Sequence, residues 1–278
     1  DQNALVIGGG VSGMSAAKAL ADQGYNVHLV EKDSNLGGQA KRLFKTAKGE
    51  YVQANLSELI NTVKSHKNIK VHTDTFLQNV EGFVGNFDTT LFSKGSSQKI
   101  RHGVAIIATG AVEHQPTEYL YGSDPRVIRG LDLDDRFLSD DYSLKDLKST
   151  VFIQCVGSRE PERTYCSRVC CTHTMVSALR LKELNPDMDI YVLYRDIRTY
   201  GEREKLFMEA REKGVKFVRF ETANKPLIQS RENDLLVTVR DHVLGIPLQI
   251  RSDLVVLASA VVSPRDEAIA QFFKIPIN

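Results

Sequence analysis

The stretch ALVIGGGVSGMSAAKALADQGYNVHLVEK, Ala4 to Lys32, decides the fold. It reads as strand, glycine turn, helix, strand and acidic residue, in that order. The apolar run Ala4 to Ile7 has the length of a short buried strand. Gly8, Gly10 and Gly13 follow it in the spacing G-x-G-x-x-G. The first glycine permits a tight turn, the second lets backbone approach a pyrophosphate, and the third lets the helix lie close on the sheet. The helix is rich in small residues and stops at Gly24. Its N-terminus, with Val11 and Ser12, offers free N–H groups and a positive dipole end to a diphosphate. Val27 to Val30 form the second strand, and Glu31 and Lys32 close it. A carboxylate at this point accepts hydrogen bonds from both hydroxyls of an adenosine ribose and repels a 2′-phosphate, which disfavours NADP. The glycine spacing alone also fits a turn in some other α/β protein. The order of elements around it favours a dinucleotide.

Composition sets bounds on the rest. The 278 residues suffice for one large or two ordinary domains, and 42% are apolar and 26% charged. A net charge of +1 gives no bulk attraction to nucleic acid or an anionic membrane. The longest apolar run, Leu254 to Val262, is too short to span a bilayer and reads as a buried strand. The chain shows no signal peptide, lacks an initiator Met and ends at KIPIN, so it reads as a fragment excised from a longer, cytoplasmic protein.

Beyond Glu31, Gly37 and Gly38 form a loop that an NAD fingerprint does not need. This double glycine resembles FAD-type flavoproteins with two dinucleotide-binding domains, in which the loop runs along the cofactor. The basic segment Lys41 to Lys48 reads as a solvated face. Asn55 to Lys64 has helical spacing of apolar residues, Ile69 to His72 reads as a strand, and Val80 to Phe92 as a hairpin or meander turning at Lys94 to Gln98. Gly103 to Ala111 reads as a buried strand entering Ala108-Thr109-Gly110, where FAD flavoproteins of this kind leave their first domain. Residues 114–148 read as a polar linker with short helices, with Tyr119 and Tyr121 packing it down. A second alternation of strands and helices starts at Val151 and implies another parallel sheet. Its first turn keeps only Gly157, which argues against nicotinamide in the standard place. Asp253 to Ala258 is expected to return the chain to the first sheet.

All four cysteines lie between Cys155 and Cys171, the first at a strand end and Cys166, Cys170 and Cys171 at a helix start. The clustering points to a metal or redox site in a reducing compartment. Three readings stay open: an iron–sulfur cluster, a Cys₄ zinc site without the usual paired C-x₂-C, and a redox disulfide or plain buried cysteines. Arg159, Arg163 and Arg168 stand where they would offset thiolate charge. Arg195, Asp196, Arg198 and Tyr200 follow a strand end and read as a network capping the next helix, with positioning of a partner or of the cysteine loop as the other reading. His173 reads as structural.

CVGSREPERTYCSRVCCTH, with LKELNP, YRDIRTYG, GNF at Gly85 to Phe87 and EYLYG at Glu118 to Gly122, resembles the heterodisulfide reductase A-subunit family. The resemblance covers nearly the whole chain. It implies an α/β fold of two Rossmann-like domains of the thioredoxin-reductase/FAD type, with parallel central sheets and β-meander insertions. The domains expected are residues 1–115 plus 252–278, binding FAD, and 116–251, carrying the cysteines. FAD would touch Gly8, Gly10, Val11, Ser12, Gly13, Glu31, Lys32, Gly37, Gly38, Ala108, Thr109 and Gly110. A [4Fe–4S] cluster would sit on Cys155, Cys166, Cys170 and Cys171. The activity implied is electron transfer between a redox donor and a disulfide-reducing or quinone-linked acceptor, by bifurcation in some members, with no side chain acting as acid or base. The family's frequent Lys five residues past the last cysteine is here Val176. The partners implied are other subunits of such a complex, ferredoxin, and a hydrogenase- or formate-dehydrogenase-type donor, with a homodimer as another assembly. Two other functions compete: an NAD(P)H-dependent thiol–disulfide reductase, and a non-catalytic assembly module on a retained FAD fold.

Overall fold

A computed structural model describes residues 1–264 and 266–276. The chain forms two compact units. The first comprises Asp1–Lys41, Tyr51–Val112 and the residues from Ser263 onward, and the second Arg42–Glu50 and Glu113–Val262.

In the first unit, β1 (Ala4–Ile7), α1 (Val11–Asp22) and β2 (Val27–Val30) take the places the sequence assigns them. α2 (Val52–Ser65) and β3 (Ile69–His72) complete a second crossover. A three-stranded antiparallel meander follows, β4 (Thr75–Phe83), β5 (Asn86–Ser93) and β6 (Ser96–His102), and the chain re-enters the parallel sheet as β7 (Val104–Ile107). The order is β3-β2-β1-β7, with Ala4 opposite both Val27 and Val104. Central β1 is buried on both faces, as strands of helix-covered parallel sheets are. The small residues of α1 let Met14 and Ala17 reach the sheet and become fully buried. The expected turn of Lys94 to Gln98 shrinks to Lys94 and Gly95. Both are left-handed (φ 49° and 83°), the geometry of a two-residue hairpin turn. The expected burial of the strand before Ala108 is corrected: Val104 and Ile107 are exposed, because among the described residues β7 is an edge of its sheet.

A two-residue strand, β8 (Val112–Glu113), leads into the second unit. There β9 (Val127–Arg129), α3 (Gly130–Leu138), β10 (Ser149–Val156), α4 (Cys170–Leu184), β11 (Asp189–Tyr194), α5 (Glu204–Glu212) and β12 (Lys216–Arg219) build most of a parallel sheet with helices on one face. An antiparallel sheet of β13 (Leu227–Ser230), β14 (Leu235–Arg240) and β15 (Pro247–Ser252) covers the other. Phe152 and Val256 face the helices, and Val151, Ile153 and Leu257 face β14 and β15.

Three expectations change here. β16 (Leu254–Ser259) does not return to the first sheet. It pairs in parallel with β10, Thr150 opposite Leu254, and with β9, giving the order β12-β11-β10-β16-β9. Its run of buried residues suits the middle of either sheet, so the pattern carries burial and not the partner. The supposed linker of residues 114–148 supplies an edge strand and a helix, while Tyr119 and Tyr121 do pack onto the core. The basic segment near Lys41 is more than a solvated face. Phe44 is buried in the helix-side core, and the Arg42 guanidinium reaches Asp132 at 2.8 Å and Asp135 at 2.9 Å. β17 (Val261–Val262) leads out, and α6 (Glu267–Phe272) rejoins the first unit, with Phe273 edge-on to Phe87.

Candidate cofactor cradle and cysteine loop

The glycine turn is shaped by close backbone approach. A Cβ on Gly8 would overlap the Ala108 carbonyl oxygen, and one on Gly13 would overlap the carbonyl oxygen of Gly8. Gly10 has no neighbour within 4 Å of its Cβ position, so its backbone is open to a ligand. α1 begins at Val11 with no side-chain cap and no acidic residue in its first turn, which leaves N–H groups and dipole for an anion. Val11, Ser12, Lys32, Thr109 and Gly110 are all exposed.

Glu31 is buried, and its two oxygens accept from the N–H groups of Gly9 (2.7 Å) and Asp33 (2.9 Å). It thus braces the turn, and each oxygen keeps a lone pair for a ribose hydroxyl. Gly37 donates to Gly9 O at 2.8 Å, and Gly38 sits where a Cβ would come within 3.2 Å of Gly10 Cα. The double glycine therefore lies against the fingerprint turn. Two parts of this cradle escape the sequence reading. Gly9 has no room for a side chain beside Leu36 and Glu31, and its one signal is the run of three consecutive glycines. Gln39 hydrogen-bonds the carbonyl of Ala111, tying the double-glycine loop to the turn after β7, and no pattern marks it.

In the second unit, β10 ends in a bulge. Its register with β16 shifts between Ile153 and Val156, and Cys155 takes a left-handed φ of 64°. Gly157, Arg159 and Arg168 are left-handed as well. All four cysteines are free thiols. The Cys170 thiol donates to Ser259 O (3.4 Å), the Cys171 thiol to Asp196 O (3.7 Å), and Cys166 Sγ accepts from Arg168 N–H (3.4 Å). Burial raises the Cys155 thiol, opposed by Arg159 and Arg195, and pushes Cys170 up to about 12 and Cys171 up to about 11. Neighbouring cysteines add to each shift, so the four sulfurs sense one another's charge.

The cations are distributed differently from the sequence reading. Arg163 turns to the Gly157 carbonyl. Arg195, buried at the end of β11, forks onto Arg159 O (2.6 Å) and Glu160 Oε1 (3.0 Å). Arg159 pairs with Asp196 at 2.7 Å, and Arg198 approaches the same carboxylate at 3.5 Å and acts on Cys166 and Cys171. The Arg–Asp network therefore holds the cysteine loop and does not cap α5, whose N-terminus has no side-chain cap. His173 points away, to Asp134 at 3.0 Å.

Residues 6–68 match a family model described as an NAD(P)-binding Rossmann-like domain. Over 96% of its length the chain is 30% identical to the iron–sulfur A-subunit of CoB–CoM heterodisulfide reductase from Methanocaldococcus jannaschii, covering 54% of that protein. The chain is similar over nearly its whole length to heterodisulfide reductase A-subunits. It is also 28% identical, over 96% of its length and 54% of the relative's, to the A-subunit of an H2/formate:CoB–CoM heterodisulfide,ferredoxin reductase from Methanococcus maripaludis. It thus spans about half the length of the curated relatives it matches. Thioredoxin reductase of T. acidophilum, 14% identical, superposes with a TM-score of 0.64 over 99% of this chain and 81% of its own, and shares the two-domain Rossmann fold.

Both implied groups fit the residues present. The open Gly10 backbone, the uncapped helix start and the braced Glu31 suit an adenine dinucleotide. Among the described residues no three His, Cys, Asp or Glu side chains converge as they would on a single ion. A four-iron cluster presents a separate iron to each thiolate, so its ligands stand around it and need not meet at a point. A donor set of four free thiols, from the end of β10 (Cys155), the loop after it (Cys166) and the start of α4 (Cys170 and Cys171), with guanidinium groups acting on them, has that chemistry. No helix among the described residues is long and apolar enough to cross a membrane.

Proposed function

We propose that the chain is the flavin- and iron–sulfur-binding part of an oxidoreductase subunit that passes electrons from a redox donor to a disulfide-reducing partner. The observation that carries this is the set of four free, mutually sensing thiols beside arginines between the end of β10 and the start of α4, in a chain similar to a protein named as an iron–sulfur subunit. The first unit would hold FAD: Gly8, Gly10 and Gly13 at the diphosphate with the N–H groups of Val11 and Ser12, Glu31 at the ribose, and Gly37, Gly38 and Ala108 to Gly110 along the rest. The second unit would hold a [4Fe–4S] cluster on Cys155, Cys166, Cys170 and Cys171. When bound, the pair supplies interconversion of two-electron and one-electron transfer. The chain's own part is to bind and orient both groups and to set their potentials through charge and hydrogen bonds. With thiols pushed up to about 12 and 11, Cys170 and Cys171 are poor free nucleophiles at neutral pH. Metal ligation removes such a proton outright, and the sequence lacks the C-x-x-C pair of a thiol–disulfide reductase.

The complex in which this occurs would contain further subunits of the heterodisulfide reductase type, and the M. maripaludis relative's name points to H2 or formate as the electron source. An anaerobic UV–visible spectrum with iron and acid-labile sulfide assays tests the reading. Flavin bands with about four iron per chain are expected. Flavin without iron after anaerobic reconstitution would shift the function to thiol chemistry, and neither group would leave an assembly module.

A further inference from the structure

Arg159 is held at both ends beside the cysteines, with a donor left over. Its backbone is left-handed at φ 59°, a conformation that non-glycine residues adopt when their surroundings impose it. Those surroundings are visible: its carbonyl accepts from buried Arg195 Nη2 at 2.6 Å, and its N–H donates to Tyr165 O at 3.1 Å. Its guanidinium Nη2 pairs with Asp196 at 2.7 Å. Its Nη1 is buried and has no hydrogen-bond partner. The same guanidinium is the cation that acts most strongly on the Cys155 thiol. Asp196 also serves Arg198, and Glu160 takes up Arg195 and Lys225, so the Arg159–Asp196–Arg198 group keeps a surplus positive charge at the thiols. Buried guanidinium N–H groups rarely stay unpartnered, so an acceptor belongs there.

We infer that Arg159 tunes the metal centre: its free guanidinium N–H donates to sulfur at the Cys155 corner and stabilises the reduced, more negative state. This rests on the cluster reading above. Adding one electron increases the negative charge on the sulfurs, and a fixed cation with a hydrogen bond to sulfur lowers the free energy of that state.

The test is a redox titration of the anaerobically purified protein against a dithionite-poised mediator set, followed by low-temperature EPR. Iron is assayed on each sample first. Arg159→Gly removes the guanidinium at a position whose backbone glycine adopts freely, and Arg159→Lys keeps the charge but loses the fork. The expected result is full iron content with a midpoint clearly more negative in the glycine variant and intermediate in the lysine variant. An iron-loaded glycine variant with the wild-type midpoint overturns the role of Arg159. If the glycine variant fails to hold iron, the lysine variant decides: a midpoint below wild type supports donation, and one equal to wild type overturns it. A wild-type protein that takes up no iron overturns the cluster reading itself, and the iron assay separates that failure from the other.

Discussion

A methyl group at Gly13 has nowhere to go. It would overlap the Gly8 carbonyl, and α1 cannot move off because Met14 and Ala17 are fully buried behind it. Gly13→Ala is expected to cost about 1–3 kcal/mol of stability and to lower flavin content, read by thermal melting and by flavin absorbance per chain. Glu113 is a second constrained residue. Burial raises its carboxyl to about 7 against the help of Arg129, 3.6 Å away, and its Oε2 has no hydrogen-bond partner. A carboxyl raised above its unfolded value of 4.5 contributes most below that pH and loses its contribution as pH rises through about 7. Glu113→Gln should therefore raise the melting temperature at pH 8 and leave it nearly unchanged at pH 5. His28 and His72, whose ring nitrogens lie 3.0 Å apart, work in the opposite direction. Burial and His28 hold His72 down to about 4, so the pair stabilises above pH 6.5 and loses that contribution as pH falls toward 4. His72→Phe should flatten the acid limb of a stability–pH curve. At this scale the close-packed Gly8 and Gly13 were legible in the sequence because their spacing stands between a strand and a helix. The left-handed backbones of Arg159 and Cys155 were not, because neither residue type signals a positive φ.

β10 joins the fold to the site. It runs through the middle of the second sheet, buries Phe152 and Ile153 on opposite faces, and breaks register just before Cys155. Beside the bulge, the buried Gln154 amide donates to Thr174 Oγ1 at 2.7 Å, which ties the strand to α4. Its Oε1 already lacks a partner, so the Thr174 hydroxyl is the contact that holds the side chain. Thr174→Val leaves the amide unpaired and should cost about 1–3 kcal/mol, measured by chemical denaturation. Strands β10 and β11 and helix α4 were legible because alternating apolar segments and helical spacing each have a distinct period. β16 was legible as a strand but not as to its sheet, since two buried parallel sheets ask for the same residues. β9 was hidden because three residues are too few to show a period.

The first unit is drawn from three separate stretches of chain and the second from two. A piece ending at Val112 would therefore lack α6, whose Ile269 and the following Phe273 pack with Leu5, Ile7 and the meander. Residues 1–112 alone are expected to unfold at lower denaturant than the same piece joined by a short linker to residues 263–276. Equal midpoints would show that α6 adds nothing to that core. Such assembly from scattered segments is invisible to local pattern reading, whereas β1, the glycine turn and α1 are contiguous in the chain and could be read from it.

The pairing of Thr150 with Leu254 also sets a timetable for the ribosome. β16 is made about a hundred residues after β10, which at about 5–20 residues per second is roughly 5–20 s later. Until then the carbonyl of Ser259 that receives the Cys170 thiol does not exist, and the cysteine loop hangs from half a sheet. On the cluster reading proposed above, iron delivered in that interval would meet a Cys170 thiol without its backbone acceptor, and iron delivered afterwards would meet one already donating to it.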